Sequence, residues 1–139
     1  MSALEGLAVG DIVAEREIVL TRDSLVRYAG ASGDFNPIHY RDDAAASVGL
    51  PGVLAHGMLT MGAAVQPVVD WAGGAGRVRD YQVRFTRPVV VSPEDGALLA
   101  VSAKVGAIDR EARTARIDLT VRFGGDTVLG KAQVVVALD

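Results

Sequence analysis

The 139-residue chain contains no cysteine, which excludes a disulfide scaffold, a zinc–thiolate site and a thiol nucleophile, and fits a reducing compartment. It has no run of 18 apolar residues, so no transmembrane helix and no membrane partner are expected. The start, Met1-Ser2-Ala3-Leu4-Glu5-Gly6, lacks the basic residues and apolar stretch of a secretory signal, and the expected location is the cytoplasm. Positive charge is not in excess: the net charge is −3 and the pI about 5.3, which argues against a sequence-independent grip on nucleic acid. Lysine is scarce, two residues against twelve arginines, and acidic residues offset the arginines throughout. Histidine is as scarce, at His39 and His56 only, so the sequence offers no metal-ligand cluster. No glycine-rich phosphate fingerprint follows a strand and no internal repeat is visible, so no nucleotide cofactor is expected.

What is present suits one globular domain spanning residues 1–139. Half of the residues are hydrophobic and 22% are charged, enough apolar surface for a core without covalent staples. Residues 11–20 carry a strand signal. Thr21 stands where a helix N-cap would, and Leu25, Tyr28 and Ala29 follow at helical spacing before Gly30. Turn formers fill 30–39, and a short helix is expected after them, with Asp42 and Asp43 near its positive end and Gly49 at its exit. Gly57 to Ala72 is apolar on nearly every side, the pattern of a buried helix. At about 1.5 Å per residue it reaches roughly 24 Å, the width of a small sheet. Met58, Leu59, Met61, Val65, Val68, Val69 and Trp71 are its expected buried residues, and Pro67 is expected to kink it.

Beyond residue 77 period-two alternation dominates. Tyr81, Val83 and Phe85 form one series; Leu99, Val101, Ala103 and Val105 a second; Ala115, Ile117, Leu119, Val121 and Phe123 a third. Compact turns at 109–112 and 124–126 make antiparallel hairpins of them, with a last strand from about Thr127 to Leu138. The expected architecture is α+β: a single five-stranded antiparallel sheet wrapped around a long apolar helix, which is the hot-dog fold.

Chemistry concentrates in Ser32-Gly33-Asp34-Phe35-Asn36-Pro37-Ile38-His39. Gly33 permits a strained turn and Pro37 holds Asn36 extended, so a carboxylate and an imidazole sit five residues apart on a stiffened loop. Such a pair can converge on one substrate as acid and base. Asp34 capping a turn and His39 bonding the backbone explain the same residues without chemistry.

The segment from Tyr28 to His39, with Ala45 six residues on, resembles the signature of MaoC-like hydratases and dehydratases. So do Ala55-His56-Gly57-Met58-Leu59-Thr60-Met61-Gly62 and Val83-Arg84-Phe85-Thr86-Arg87-Pro88. Within that family the chain is most similar to the catalytic subunit of the mycolic-acid-type (3R)-hydroxyacyl-ACP dehydratases; single-domain (R)-specific enoyl-CoA hydratases share the motif. The resemblance implies a hydro-lyase that adds or removes water across C2–C3 of an acyl-CoA or acyl-ACP thioester, with R configuration at C3. It implies Asp34 and His39 as the catalytic pair and the Gly57 N–H as oxyanion donor, a place where a helix N-terminus suits enolate charge. Asn36, Gly33 and Pro37 are expected to orient the loop, and His56 to be a cap or hydrogen-bonded structural histidine. Close approach of helix to sheet is the other reason for a glycine at 57.

Arg77, Arg79, Arg84 and Arg87 could attract the phosphates of CoA or the acidic surface of ACP, or could be a solvated strand face. No cofactor and no metal are expected, since dehydration moves only protons. A hot-dog thioesterase and a non-catalytic tunnel-forming subunit are the alternatives; the intact Asp34–His39 loop argues against both. A homodimer is expected, because the sheet leaves strand edges to cover; a heterodimer with a second hot-dog chain is the competitor.

Overall fold

A computed structural model describes residues 3–139; Met1 and Ser2, part of the expected 1–139 domain and of the N-terminal reading, lie outside them. Strand β1 (Ile12–Leu20) leads into α1 (Arg22–Ser32), then α2 (Asp42–Ser47) and α3 (Gly57–Ala72), and the chain finishes in β2 (Val78–Phe85), β3 (Ala97–Asp109), β4 (Thr114–Phe123), β5 (Asp126–Thr127) and β6 (Leu129–Ala137). The strands form one antiparallel sheet in the order β1-β3-β4-β6-β2, with the two-residue β5 closing the turn against β4. The five long strands are those expected, and the hot-dog architecture follows from α3 lying across them. That helix touches β1, β2, β3, β4 and β6.

The alternation seen in the sequence sets the inner face. Leu99, Val101, Ala103 and Val105 of β3 and Ala115, Ile117, Leu119 and Val121 of β4 are all buried, facing the same layer as Ala64 and Val68 of α3. The last strand departs from the single run expected from Thr127 to Leu138. It breaks at Val128, and its buried positions then step from Leu129 to Ala132, Val134 and Val136. Lys131 has φ +45 there. One extra residue opposes β2 between the pairs Gln82–Gln133 and Arg84–Gly130, a bulge that bends the strand while returning its apolar side to the core.

Two expectations about helices need correction. Helix α1 runs past Gly30 to Ser32 and ends at Gly33, which has φ +80 and donates its N–H to the Ala29 carbonyl. Gly30 carries no such conformation, so nothing stops the helix there. The start is as expected: Thr21 Oγ1 accepts from the Ser24 N–H while Ser24 Oγ accepts from the Thr21 N–H.

Helix α3 is not buried on all sides. Val65 and Val68 are buried, Leu59, Met61, Val69 and Trp71 are half-buried, and Met58 is 59% exposed. One sheet layer can cover one side of a helix only, and the exposed positions of α3 are Gly57, Met58, Gly62, Gln66 and Asp70, so Met58 is the one large apolar side chain left uncovered there. The helix continues through Pro67 as one element. In the turn before it, Met61 O accepts from the Tyr81 hydroxyl at 2.7 Å and Gly62 O from Gln66 Nε2 at 3.0 Å, so side-chain donors reach carbonyls next to the interrupted ladder. Burial pushes the Tyr81 hydroxyl well above its ordinary pKa, keeping it a donor.

Candidate active site

The candidate site is assembled from the end of α1, the loop after it and the N-terminus of α3. The left-handed turn at Gly33 reverses the chain so that Asp34 follows directly. The Asp34 N–H donates to Ser32 Oγ at 3.1 Å, Asp34 Oδ1 accepts from the Asn36 N–H at 3.2 Å, and Asn36 Oδ1 accepts from the Ile38 N–H at 3.2 Å. Each is a short side-chain-to-backbone link that fixes a turn. Asn36 thereby caps a single 3-10 turn, Pro37–His39, with Pro37 at its first position. Gly33, Asn36 and Pro37 thus each fix a step of the backbone between α1 and His39.

The turn delivers His39 to a pocket where it is nine-tenths covered. Its Nδ1 lies 2.7 Å from the Leu54 carbonyl. A carbonyl only accepts, so Nδ1 carries the hydrogen and Nε2 presents its lone pair. The Leu54 carbonyl is itself held in place: Leu54 N–H donates to Ile38 O, Ala55 N–H to Val89 O and Val91 N–H to Val53 O. His39 Nε2 stands 3.9 Å from Asp34 Oδ2, too far for a hydrogen bond. Oδ1 is occupied by the loop and Oδ2 is not, so one carboxylate serves both the bland and the chemical reading. The two facing atoms can each reach an oxygen or proton placed between them.

His56, expected as a cap or structural histidine, is buried and makes no capping bond at α3. Its Nε2 lies 3.2 Å from the Asp34 carbonyl, so it braces the main chain of the loop. Its ring stacks on His39 at 3.8 Å between centroids and meets Tyr28 edge-on at 4.8 Å. Burial lowers its pKa, and its Nδ1 is buried without a partner among the described residues.

The sequence offered no ligand cluster, yet Asp34, His39 and His56 bring ligating atoms within 4.8 Å of one another. The two imidazoles are only 22° from parallel. In-plane lone pairs on stacked rings do not converge on one ion, so the trio is a poor fit to a metal.

A cavity of about 380 Å³ opens on His39, lined also by Leu54, Gly57, Thr60, Phe85 and Arg87 among others. Gly57 is the first residue of α3, and the N–H groups of a first turn have no partner inside the helix. A Cβ at Gly57 would meet the Phe85 ring at 3.0 Å, so the close-approach reason for glycine holds, and the helix N-terminus faces the cavity as well. Thr60, buried one turn later, adds a hydroxyl-bearing side chain that sequence reasoning missed; its only signal was a polar residue in an apolar helix. Among the arginines, Arg77 pairs with Asp139 and Arg79 with the Gly76 carbonyl, while Arg87 lines the cavity. No helix among the described residues is long and apolar enough to cross a membrane.

Residues 8–122 match the family described as MaoC like domain. The 3-hydroxybutyryl-CoA dehydratase of Methylorubrum extorquens is 32% identical over 135 residues, 95% of this chain and 82% of that protein. The 3-hydroxyacyl-thioester dehydratase X of Mycobacterium tuberculosis is 38% identical over 81 residues, 58% of this chain and 28% of that protein. A solved structure named MaoC-like dehydratase superposes with a TM-score of 0.93 at 37% identity, covering 96% of this chain and 41% of that one. The chain therefore spans well under half the length of some of the proteins it resembles.

Proposed function

The chain belongs to the MaoC-like domain family, and from that premise we propose that it catalyses reversible hydration of a trans-2-enoyl thioester to the (3R)-hydroxyacyl thioester. The observation that carries this reading is the facing of Asp34 Oδ2 and His39 Nε2 across 3.9 Å, with His39 and Gly57 lining one cavity. In the dehydration direction, the thioester carbonyl lies against the Gly57 N–H, where the unpaired donors and positive end of α3 stabilise the charge that builds as C2 loses its proton. His39 Nε2, its lone pair exposed by the Leu54 bond, takes that proton. Asp34 Oδ2 holds the C3 hydroxyl and faces the imidazolium so formed. In a syn elimination the proton and the hydroxyl leave from one face, so His39 can hand the proton to the departing hydroxyl and release water. Every proton is returned, so the reaction as proposed calls for no redox group or metal.

Names of the relatives support the substrate class: 3-hydroxybutyryl-CoA dehydratase and 3-hydroxyacyl-thioester dehydratase both act on acyl thioesters by name. We also propose that the working unit is a dimer, a homodimer in preference to a pairing with a different hot-dog chain. Phe35 and Met58 adjoin Asp34 and Gly57 in the chain, Phe85 lines the cavity, and each is more than half exposed in the single chain, apolar surface that calls for cover.

The test is hydration of crotonyl-CoA and longer enoyl-CoAs, followed by loss of the enoyl thioester absorbance, with the product's C3 configuration determined and the series repeated on ACP thioesters. Formation of the R alcohol supports the reading. Failure to hydrate any thioester in either series, or formation of free acid in place of the alcohol, overturns it.

A further inference from the structure

Four arginines lie between α3 and β3, and the structure gives them different surroundings. Arg77 and Arg79 are committed to Asp139 and to the Gly76 carbonyl. Arg84 lies on β2 next to Phe85, whose ring rests on the Gly57 side; neighbours on a strand point oppositely, so Arg84 faces the outer side of the sheet. Arg87 alone of the four lines the cavity shared by His39 and Gly57. It is exposed, and its side chain has no hydrogen-bond or ion-pair partner among the described residues.

Its backbone, by contrast, is held on both sides. Thr86 donates its N–H to Val128 O at 3.1 Å and its hydroxyl to Thr127 O at 2.8 Å, and Val89 O accepts from the Ala55 N–H at 2.9 Å. Pro88 restricts Arg87 to extended backbone. An unpaired guanidinium is thus presented at the rim of the cavity from a fixed base.

Such an arrangement selects an anion that arrives with the ligand. The apolar end of an acyl thioester gains by burial, whereas its carrier arm leads from the sulfur back to water and bears phosphate. We propose that Arg87 is a specificity-determining residue that binds a phosphate of the carrier arm, the one common to CoA and phosphopantetheine; this rests on the acyl-thioester reading given above. The planar guanidinium suits a phosphate, with paired donors on two oxygens.

The experiment crosses protein variants with truncated substrates. kcat/KM is measured for crotonyl-CoA, crotonyl-3′-dephospho-CoA, crotonyl-phosphopantetheine and crotonyl-pantetheine, using wild type, Arg87→Gln, Arg87→Lys and Arg84→Gln. Arg87→Gln should lose about ten- to a hundred-fold on the first three, carried by KM, as expected for a charged hydrogen bond. It should lose nothing on crotonyl-pantetheine. Arg87→Lys should recover part of the loss, and Arg84→Gln should match wild type on all four. A loss confined to crotonyl-CoA would move the contact to the 3′-phosphate and overturn the proposal as stated. An equal loss on crotonyl-pantetheine, or no loss anywhere, also overturns it. Should wild type hydrate none of them, the hydratase reading fails by itself, and calorimetric binding of phosphopantetheine to wild type and Arg87→Gln still decides the Arg87 contact: a difference of about ten-fold or more sustains it, and equal or absent binding ends it.

Discussion

His39 and His56 lie face to face, 3.8 Å between ring centroids, and a main-chain carbonyl sets the tautomer of each: Leu54 O binds His39 Nδ1, and Asp34 O binds His56 Nε2. The stack ties the two halves of the proposed pair together. His56 holds the backbone of Asp34 and the flat of His39 at once, so the 3.9 Å gap between Asp34 Oδ2 and His39 Nε2 is set by bonds that involve neither of those atoms. Burial is the main cause that lowers the His56 pKa, and the His39 ring against it acts in the same direction.

Stability should therefore fall on acidification through His56. Its folded pKa lies below the ordinary 6.5. Above 6.5 neither state binds the proton; below it the unfolded chain does and the native chain does not, until the folded pKa is passed. Stability is thus full above the unfolded value and declines as pH drops through that window. Thermal midpoints taken from pH 7.5 to 5.5 should fall for wild type and fall less for His56→Gln, which can still donate to the Asp34 carbonyl. Equal slopes for the two proteins would refute this role.

Asp34→Asn and His39→Ala should each lower turnover on the order of 10²–10⁴-fold. Asp34 is exposed on the loop, and His39, although buried, ends a single 3-10 turn and lies in no strand or α-helix, so circular dichroism should show unchanged secondary structure. The double variant should be little worse than either single one, because the two act as a unit. Wild-type-like hydration by either single variant would end the assignment.

The parts of this architecture that were legible in the sequence are those where one local rule decides. The Thr21 cap, the alternation of Ala115 to Val121 and the limits Gly57–Ala72 of α3 are all of that kind. The α1 end was misplaced because Gly30 and Gly33 both read as stops, and only the backbone shows which one adopts positive φ. Lys131 hid its bulge, since a lysine carries no turn signal. The candidate loop was legible as a motif, but its brace was not. His56 is seventeen positions from His39, and only the fold stacks them. The exposure of Met58 was likewise illegible, because an apolar residue does not say whether its cover comes from its own chain.

Gly57 can be tested by removing its N–H, with a second variant to separate the added bulk. It is the first residue of α3, where proline is tolerated, and His56 before it has φ −59 and ψ 133, a conformation that a following proline permits. Gly57→Pro should keep the helix and lower kcat by about 10²–10³-fold, the usual effect of deleting one oxyanion donor. Gly57→Ala keeps the N–H and tests bulk, since its Cβ meets the Phe85 ring at 3.0 Å. If Ala lowers kcat as much as Pro, close approach explains the glycine and the oxyanion role falls.

The dimer prediction follows from three large apolar side chains that the single chain leaves uncovered. Met58 is 59% exposed, Phe35 60% and Phe85 55%, and all three belong to segments that build the site. Strands β1 and β2 end the sheet order, each with an unpaired edge that a second sheet can extend. A two-fold axis near these residues would cover their side chains in both copies at once and wall the acyl chain with the partner's surface. Light scattering should give a mass of about 29 kDa, twice the 14.5 kDa chain, together with hydratase activity. Met58→Glu places a charge at one of these positions without touching Asp34 or His39, and should shift the mass toward one chain with a matching loss of activity. A wild-type chain that is inactive or aggregates alone and recovers with a second hot-dog subunit would favour the heterodimer. A fully active monomer would contradict both, because the exposed Phe35, Met58 and Phe85 would then need no partner.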